Sequence, residues 1–331
     1  MSSDQFPRPP FDEEISSLLP PIPSSLFPAS RDDVPQQRQF FEDLTGPATQ
    51  EILSDPEITH TERTIPGPGG AITLSIFAPA RPGAASAPGR QPCVFHTHGG
   101  GMTAGSRFAG VDMAVPWIKR LDAVAVSVEY RRPPEHPFPA PVEDCYAALR
   151  WVAAHAPELG IDPARILVEG QSAGGGLAAA TALMARDRGG PQLCGQLVGV
   201  AMLDDRNDSV AARQFATGGT WNARANAVAW NCLLGDGVAG GPDVSCYAAP
   251  ARATDLTGLP PAYVDVSSTE PFRDEGVAYA SKLWQDGVQA ELHVWPGGPH
   301  GFDVLTPTAE ISKLSMQTRT AWVCRMLREK V

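Results

Sequence analysis

A serine lies between two glycines at residues 170–174, which read Gly-Gln-Ser-Ala-Gly. The apolar segment RILVE precedes this pattern and is expected to be a strand, while the Ala- and Gly-rich segment after it is expected to be a helix. A G-x-S-x-G sequence between a strand and a helix is typical of a nucleophilic serine held on a sharp turn. Gly170 and Gly174 keep the neighbouring segments from clashing, and the helix N-terminus favours negative charge near Ser172. We therefore expect Ser172 to be a nucleophile; the simpler alternative, a serine N-cap, does not require flanking glycines.

A run of glycines follows an earlier apolar segment, at His98, Gly99, Gly100 and Gly101. Because glycine has no Cβ, the backbone N–H groups of such a run can approach an oxyanion closely. We expect Gly100 and Gly101 to supply two N–H donors and Ala173 a third. A flexible glycine turn is the alternative for the run alone, but its place after a strand and before the serine motif favours the oxyanion role. We expect His98 to brace the loop through hydrogen bonds and not to act as a base.

The general base must come from seven histidines. His300 alone lies in a Gly-Pro-His-Gly-Phe loop after the last predicted strand, which gives the chain order serine, acid, histidine. An imidazole with a pKa near neutrality is suited to moving a proton to and from a serine hydroxyl. We therefore expect His300 to be the base and His293, within the predicted strand, to be structural.

Four segments resemble the hormone-sensitive-lipase-like family of esterases: HTHGGG, YRRPPEHPFPAPVEDC, GQSAGGG and EPFRDEG. They occur in the order that the family shows, and the resemblance covers roughly residues 60–205 and 255–330. It implies an α/β-hydrolase core and a helical cap formed by the N-terminal arm and an insertion. It also implies short-to-medium acyl esters as substrates and neither a metal nor a cofactor.

The resemblance assigns the acid as well. The family usually has Asp-Pro-Leu-Arg-Asp-Glu after a strand, and Glu270 occupies the first position of that motif here. Glutamate is one methylene longer than aspartate, so Asp274 and Asp303 remain alternatives, as does an exposed Glu270 without a catalytic role. Gln171 is a second departure, because the family often has aspartate there. Asp144 matches an acidic family position and is expected to be a structural hydrogen-bond partner.

The elements that must position these residues alternate between strand and helix from residue 92 onward. Such alternation predicts a mostly parallel central sheet flanked by helices, the α/β class. The predicted strands are CVFHTH, 122–130, 164–170, 196–203, YVDVSS and ELHVW, and the predicted helices are 143–156, the segment up to about 186, 273–285 and 307–329.

The remaining segments divide the chain. Residues 1–54 are expected to be an arm that contributes to the cap, with a short helix after Asp12 and a helix over 31–54 that breaks near Gly46-Pro47. Two strands are expected over 59–79, around a Gly-Pro-Gly-Gly turn. Residues 204–255 interrupt the alternation and are expected to be the inserted part of the cap, with their tryptophans in the core or lining the pocket. The catalytic domain then comprises residues 55–203 and 256–331.

The composition limits the partners. Hydrophobic residues make up 43% and charged residues 19% of the 331 residues, which fits a globular protein with a large core. The net charge of −11 argues against nucleic acid and anionic membranes as partners and leaves a small-molecule ester as the expected one. The six cysteines show no metal-binding spacing, and no apolar segment is typical of a secretory signal or a membrane span. We expect a cytoplasmic enzyme with reduced thiols, and a homodimer remains open.

Related chemistries remain alternatives at this point. The same serine, histidine and acid could serve an acyltransferase, a lactonase or an amidase, and a small-molecule lyase is a more distant option. A non-catalytic small-molecule receptor on the same fold is disfavoured, because all three residues of the triad are in place.

Overall fold

The computed structural model describes residues 6–22, 27–81 and 90–328. Eight strands within these ranges form one sheet, in the order β1-β2-β4-β3-β5-β6-β7-β8. The strands are β1 Ile58–Gly67, β2 Gly70–Pro79, β3 Gln91–Thr97, β4 Val124–Glu129, β5 Ile161–Gln171, β6 Gly195–Gly199, β7 Ala262–Ser267 and β8 Ala290–Trp295.

The sheet is mostly parallel, as the alternation of strands and helices predicts. Strands β3 to β8 pair in parallel, whereas β1 and β2 form a hairpin that pairs antiparallel with β4. The first five residues of β4 are buried, which explains its near-continuous apolar sequence. The carboxyl ends of the central parallel strands therefore meet along one edge, where side chains from several strands can converge.

Helices cover the sheet and follow most of the predicted segments. Helix α9 has the bounds that the sequence predicts, and the short helix after Asp12 is present. The helices are α1 Glu13–Leu18, α2 Val34–Ser54, α3 Val115–Leu121, α4 Ala140–Ala154, α5 Ala156–Leu159, α6 Ala173–Asp187, α7 Val210–Gln214, α8 Ala223–Leu234, α9 Arg273–Gln285, α10 Phe302–Leu305 and α11 Glu310–Leu327. None of the helices within the described ranges is long and apolar enough to cross a membrane.

The break expected at Gly46-Pro47 is wrong, because α2 continues through both residues. Tertiary contacts hold the helix on both sides of the proline: Arg38 bonds to Glu135 before it, and Ile52 is buried after it. These contacts outweigh the cost of the backbone hydrogen bond that Pro47 cannot make.

Strand β6 is shorter than the sequence predicts. It ends at Gly199, because Val200 has a φ of +39° and turns the chain out of the extended conformation. The N–H of Val200 still donates to Asp265 O at 2.7 Å, and Met202 N donates to Ser172 O at 3.0 Å. The residues after the strand therefore pack behind Ser172 and do not extend the sheet.

Residues 204–255 contain α7, α8 and a 3₁₀ turn over Pro250–Arg252. An ion pair with a buried carboxylate joins the beginning of this segment to its end, with Arg252 Nε 2.7 Å and Nη2 2.9 Å from the two carboxylate oxygens of Asp205. The two ends of the inserted segment therefore lie close together beside the sheet. Its assignment as a separate part of a cap stays a prediction.

A buried guanidinium joins three elements of the core. Arg319 of α11 is 1% exposed, and its Nη2 lies 2.8 Å from Asp265 Oδ2 on β7, while its Nη1 lies 2.9 Å from Asp303 Oδ2 on α10. Both carboxylates are themselves buried. Buried charges of this kind are tolerated because they are paired, so loss of the guanidinium would leave two carboxylates without their cation.

Replacing Arg319 by methionine should therefore lower the free energy of unfolding by about 3–5 kcal/mol, as expected when one partner of a buried ion pair is removed. Arg325→Met is the matched control, because Arg325 lies on the same helix and pairs with Glu291 in an exposed position. That change should cost less than about 1 kcal/mol. Urea unfolding of both variants is the measurement, and equal losses in the two would contradict the assignment.

Candidate active site

Ser172 occupies the single position between β5 and α6, with φ +57° and ψ −125°. A residue with a Cβ adopts this conformation only when its surroundings enforce it. Here the N–H of Ser172 donates to Gly199 O at 2.9 Å, and its carbonyl accepts from Gly176 N at 3.1 Å and from Met202 N at 3.0 Å. Strand β6 and the first turn of α6 therefore hold the serine on a strained turn.

The two glycines that flank this turn allow a close approach of backbones. A Cβ on Gly170 would lie 2.4 Å from Gly174 O, and a Cβ on Gly174 would lie 2.0 Å from Thr97 O on β3. Both distances are far below van der Waals contact, so no larger residue fits without movement of the backbone. The N-terminus of α6 is thereby packed against the end of β3.

The structure brings Ser172, His300 and Glu270 into one chain of hydrogen bonds. His300 Nε2 lies 2.9 Å from Ser172 Oγ, and His300 Nδ1 lies 2.6 Å from Glu270 Oε2. The Glu270 side chain has no exposed surface, and its Oε1 accepts from Ser267 N at 2.6 Å. Since a carboxylate can only accept, Nδ1 is the protonated nitrogen of the neutral imidazole and Nε2 is free to accept the serine proton.

The loop that carries His300 connects β8 to α10 and is held from the neighbouring strand. Gly298 O accepts hydrogen bonds from the hydroxyls of Ser267 and of Thr269, the latter at 2.7 Å. The ring of Phe272 packs edge-on against the imidazole, with centroids 5.1 Å apart and planes at 82°. The segment 267–272, which begins at the last residue of β7, therefore carries Glu270 and also fixes the loop of His300.

The glycine run after β3 forms a tight turn beside Ser172. Gly100 and Gly101 have φ of +115° and +61°, and the N–H of Ala104 donates to Gly100 O at 2.9 Å. Among the contacts of the described residues, none uses the N–H of Gly100, Gly101 or Ala173 as a donor. These groups are therefore available to a ligand in the adjoining space.

A cavity opens over these residues, and most of its wall is apolar. Ser172, His300 and the glycine run border it. Apolar side chains from α2, from the inserted segment and from α10 complete it, among them Phe40, Phe41, Leu44, Trp221, Val304 and Leu305. Trp230, the other tryptophan of the inserted segment, lies wholly in the core. A neutral, largely apolar molecule fits such a space.

Comparisons with known proteins identify the family of this chain. A family model described as the alpha/beta hydrolase fold matches residues 94–304. The esterase LipI of Mycobacterium tuberculosis is 35% identical over 298 residues, which covers 89% of this chain and 88% of that protein. The carboxylesterase NlhH of the same organism is 35% identical over 304 residues, which covers 91% and 92% of the two chains.

Solved structures agree as well. A bacterial heroin esterase superposes with a TM-score of 0.88 at 37% identity, over 96% of this chain and 98% of that one. An esterase from Pyrobaculum calidifontis superposes with a TM-score of 0.83 at 32% identity, over 96% and 99% of the two chains. The chain belongs to the hormone-sensitive-lipase-like esterases of the alpha/beta hydrolase fold.

The alternative acids of this esterase have other partners. Asp274 accepts from Ala211 N at 2.7 Å, and Asp303 is the partner of Arg319. Asp303 also accepts from Gln171 Nε2 at 3.4 Å. An aspartate at residue 171 would bring a second carboxylate to Asp303, so the neutral amide there suits a chain that already has this acid.

His98 is a buried brace of the glycine loop. Its Nδ1 donates to Gly99 O at 2.8 Å, its ring stacks on Tyr130 with centroids 4.1 Å apart, and the Tyr130 hydroxyl donates to His98 O at 2.8 Å. Burial lowers the pKa of His98 to about 3, so its imidazole stays neutral at physiological pH. Asp144 is likewise structural, since its carboxylate binds the guanidinium of Arg131 at 2.8 and 2.9 Å.

Sequence reasoning missed a second histidine–carboxylate pair, whose histidine lines the cavity. His96 Nδ1 is hydrogen-bonded to Glu169 Oε1, and its Nε2 donates to Ala109 O at 3.0 Å. Burial works to lower the pKa of His96, but the Glu169 carboxylate outweighs it and the net direction is upward. The two residues are neighbours only because β3 and β5 pair in this register. No spacing along the chain signals that pairing.

Among the described residues, no three or more His, Cys, Asp or Glu side chains are grouped so that they could hold a metal ion. The cysteines in these ranges form no disulfide.

The buried position of His98 leads to a direct test. NMR of nitrogen-labelled imidazoles should show His98 as the neutral Nδ1–H tautomer down to at least about pH 5, well below the ordinary histidine pKa of about 6.5. Since the unfolded chain binds this proton and the folded chain does not, His98 should make folding less favourable as the pH falls from about 6.5 towards 3. A titration midpoint of His98 near 6.5 would contradict its burial.

Proposed function

We propose that the chain hydrolyses carboxylic esters through an acyl-enzyme formed on Ser172. The hydrogen-bonded chain from Glu270 through His300 to Ser172, with distances of 2.6 and 2.9 Å, carries this proposal. It ends in the wall of an apolar cavity, where an ester can reach the serine. The strained turn at Ser172 supports the same role, because it is the geometry that exposes a nucleophile at the end of a strand.

The first half of the reaction transfers the acyl group to the enzyme. Ser172 Oγ attacks the ester carbonyl carbon as its proton moves to His300 Nε2, and the Glu270 carboxylate stabilises the imidazolium. The carbonyl π electrons pass to the oxygen of a tetrahedral intermediate. When that intermediate collapses, the C–O bond to the alcohol breaks, and His300 returns the proton to the leaving alcohol oxygen.

The second half returns the enzyme to its starting state. His300 takes a proton from water, the hydroxide attacks the acyl carbon, and the bond to Ser172 Oγ breaks with return of the proton to Oγ. Because the base is a side chain of the triad, neither half-reaction calls for a metal or an organic cofactor.

We assign the oxyanion of both tetrahedral intermediates to the N–H groups of Gly100, Gly101 and Ala173. The left-handed backbone of the two glycines supports this assignment, as does the availability of the three donors. Ala173 is also the first residue of the 15-residue helix α6, whose N-terminal dipole favours negative charge. Preorganised donors of this kind commonly provide the largest single contribution to acyl-transfer catalysis.

The substrate we propose is a neutral ester with a short-to-medium acyl group. The mostly apolar wall supports neutrality, because a charged substituent would lose its hydration there. We assign the arm before residue 55 and the insertion 204–255 to the cap, since Phe40 and Trp221 reach the cavity from these two segments. A cap of two parts closes the acyl end of the cavity and so disfavours long-chain lipid substrates.

Ser172→Ala tests the proposed function. Turnover of p-nitrophenyl butyrate should fall by about 10³-fold or more, because the acyl-enzyme can no longer form. A fluorophosphonate probe should label the wild-type chain and not this variant. Ser281→Ala is the control, since Ser281 lies on α9 and bonds only to Val277 O among the described contacts. Labelling of a serine other than Ser172, or undiminished turnover by the alanine variant, would contradict the proposal.

Substitutions of the acid test the role of Glu270. Glu270→Gln keeps the shape but removes the negative partner of the imidazole, so kcat should fall by about 10³-fold or more. Glu270→Asp should lose less activity, because the charge remains and only its reach is shorter. Asp274→Asn is the control and should stay near wild type, since Asp274 has other partners. If Asp274→Asn lost most of its activity while Glu270→Gln stayed near wild type, the role of the acid would pass from Glu270 to Asp274.

A further inference from the structure

Two consecutive residues of the inserted segment contact both loops of the active site. The Thr220 hydroxyl donates a hydrogen bond to the carbonyl oxygen of His300. The indole of Trp221 lies against Gly101, since a Cβ on that glycine would be 2.8 Å from Trp221 Cη2. The insertion therefore touches the loop of the base and the proposed oxyanion loop at adjacent positions.

The turn that presents these residues is constrained. Gly218 and Gly219 have φ of +80° and +72°, a left-handed conformation that favours glycine. The N–H of Ala223 donates to Phe215 O at 3.0 Å and closes the turn, and Asn222 caps the N-terminus of α8 with its side chain. The position of Thr220 is thus set by the insertion itself and does not depend on its bond to His300.

The hydrogen bond from Thr220 is made at His300 itself, where the backbone of the base loop has no other described hydrogen bond to the carbonyl. The hydroxyls of Ser267 and Thr269 hold Gly298 O, two residues before His300, and α10 begins two residues after it. Among the described contacts, His300 O accepts a hydrogen bond from Thr220 alone. Thr220 is 4% exposed, so water does not readily replace this bond. Without it, the His300 peptide could rotate and move Nε2 away from Ser172 Oγ.

The proposed oxyanion loop is also held by hydrogen bonds from α2. Gln37 Oε1 accepts from the Thr103 hydroxyl at 2.8 Å, and Arg38 Nε donates to Thr103 O at 2.8 Å. Both residues belong to α2. Helix α2 and the insertion therefore both contact this loop. Trp221 packs against it and so holds the segment that carries Thr220 beside the reacting groups.

We infer that Thr220 is a positioning residue, which aligns the imidazole of His300 with Ser172 by holding the His300 carbonyl. This inference rests on the proposed function, because it takes His300 as the base. Thr220 reaches the reaction through the backbone of His300 and takes no proton itself. Its removal should therefore slow the chemical steps and leave the binding of the ester nearly unchanged. The insertion would then be part of the catalytic alignment as well as a wall of the cavity.

Four variants test the inference with p-nitrophenyl butyrate. Thr220→Val and Thr220→Ala remove the hydroxyl, Thr220→Ser keeps it, and Thr217→Val is the control at an exposed position three residues earlier. We expect kcat to fall about tenfold or more in the valine and alanine variants, with KM within about twofold, since small displacements of a catalytic group are costly. The serine variant should retain most of kcat, and Thr217→Val should match wild type.

The labelling rate of Ser172 by the fluorophosphonate should fall in parallel with kcat, because it reports the reactivity of the serine without a deacylation step. Circular dichroism and thermal melting check that each variant is folded. If the valine side chain disturbs the turn, the alanine variant alone tests the loss of the hydroxyl, because its smaller side chain does not clash with the surrounding residues.

Three results would each overturn the inference. The first is a wild-type kcat in the folded hydroxyl-free variants. The second is a raised KM at unchanged kcat, which would assign Thr220 to substrate binding. The third is a Thr220→Ser variant as slow as Thr220→Ala, which would show that the hydroxyl does not determine kcat. Failure of the proposed function is distinguishable from these, because it would show as Ser172→Ala retaining its hydrolytic activity.

Discussion

A carboxylate without exposed surface imposes the central constraint on this protein. Glu270 cannot be hydrated, so each of its oxygens must be satisfied by a donor nearby. One oxygen takes the N–H of Ser267 at the end of β7, and the other takes Nδ1 of His300. The second bond fixes which imidazole nitrogen carries the proton and turns Nε2 towards Ser172. The sheet, which brings β7 and β8 side by side, is what allows both bonds.

Further buried charges stabilise the frame around that bond. Arg319 binds Asp265, five residues before Glu270, and Asp303, three residues after His300. A single guanidinium therefore ties together the strand that leads to the acid and the helix that follows the base. His96 and Glu169 likewise join β3 to β5, the strand that ends just before Ser172. The net charge of −11 thus coexists with a core in which these carboxylates have cationic or protonated partners.

The sequence allowed the fold and part of the site to be predicted, for physical reasons that differ between residues. The strand–serine–helix pattern is local, so Ser172 and the parallel sheet followed from the chain alone, while Glu270 needed the resemblance to a family. The continuation of α2 through Pro47 could not be predicted, because distant contacts decide it. The same holds for two contacts between distant residues. Thr220 and His300 are 80 residues apart along the chain, and His96 and Glu169 are 73 residues apart. Local periodicity carries no information on such pairings.

The proposed hydrolysis depends most on a covalent bond between Ser172 and the acyl group of the substrate. Rapid acid quenching of the enzyme during turnover of p-nitrophenyl butyrate, followed by digestion and mass spectrometry, measures that bond directly. We expect a butyryl group on the peptide that contains Ser172, formed in step with the initial burst of p-nitrophenol and absent from Ser172→Ala. A butyryl group on another residue, or a burst that persists in the alanine variant, would contradict the account.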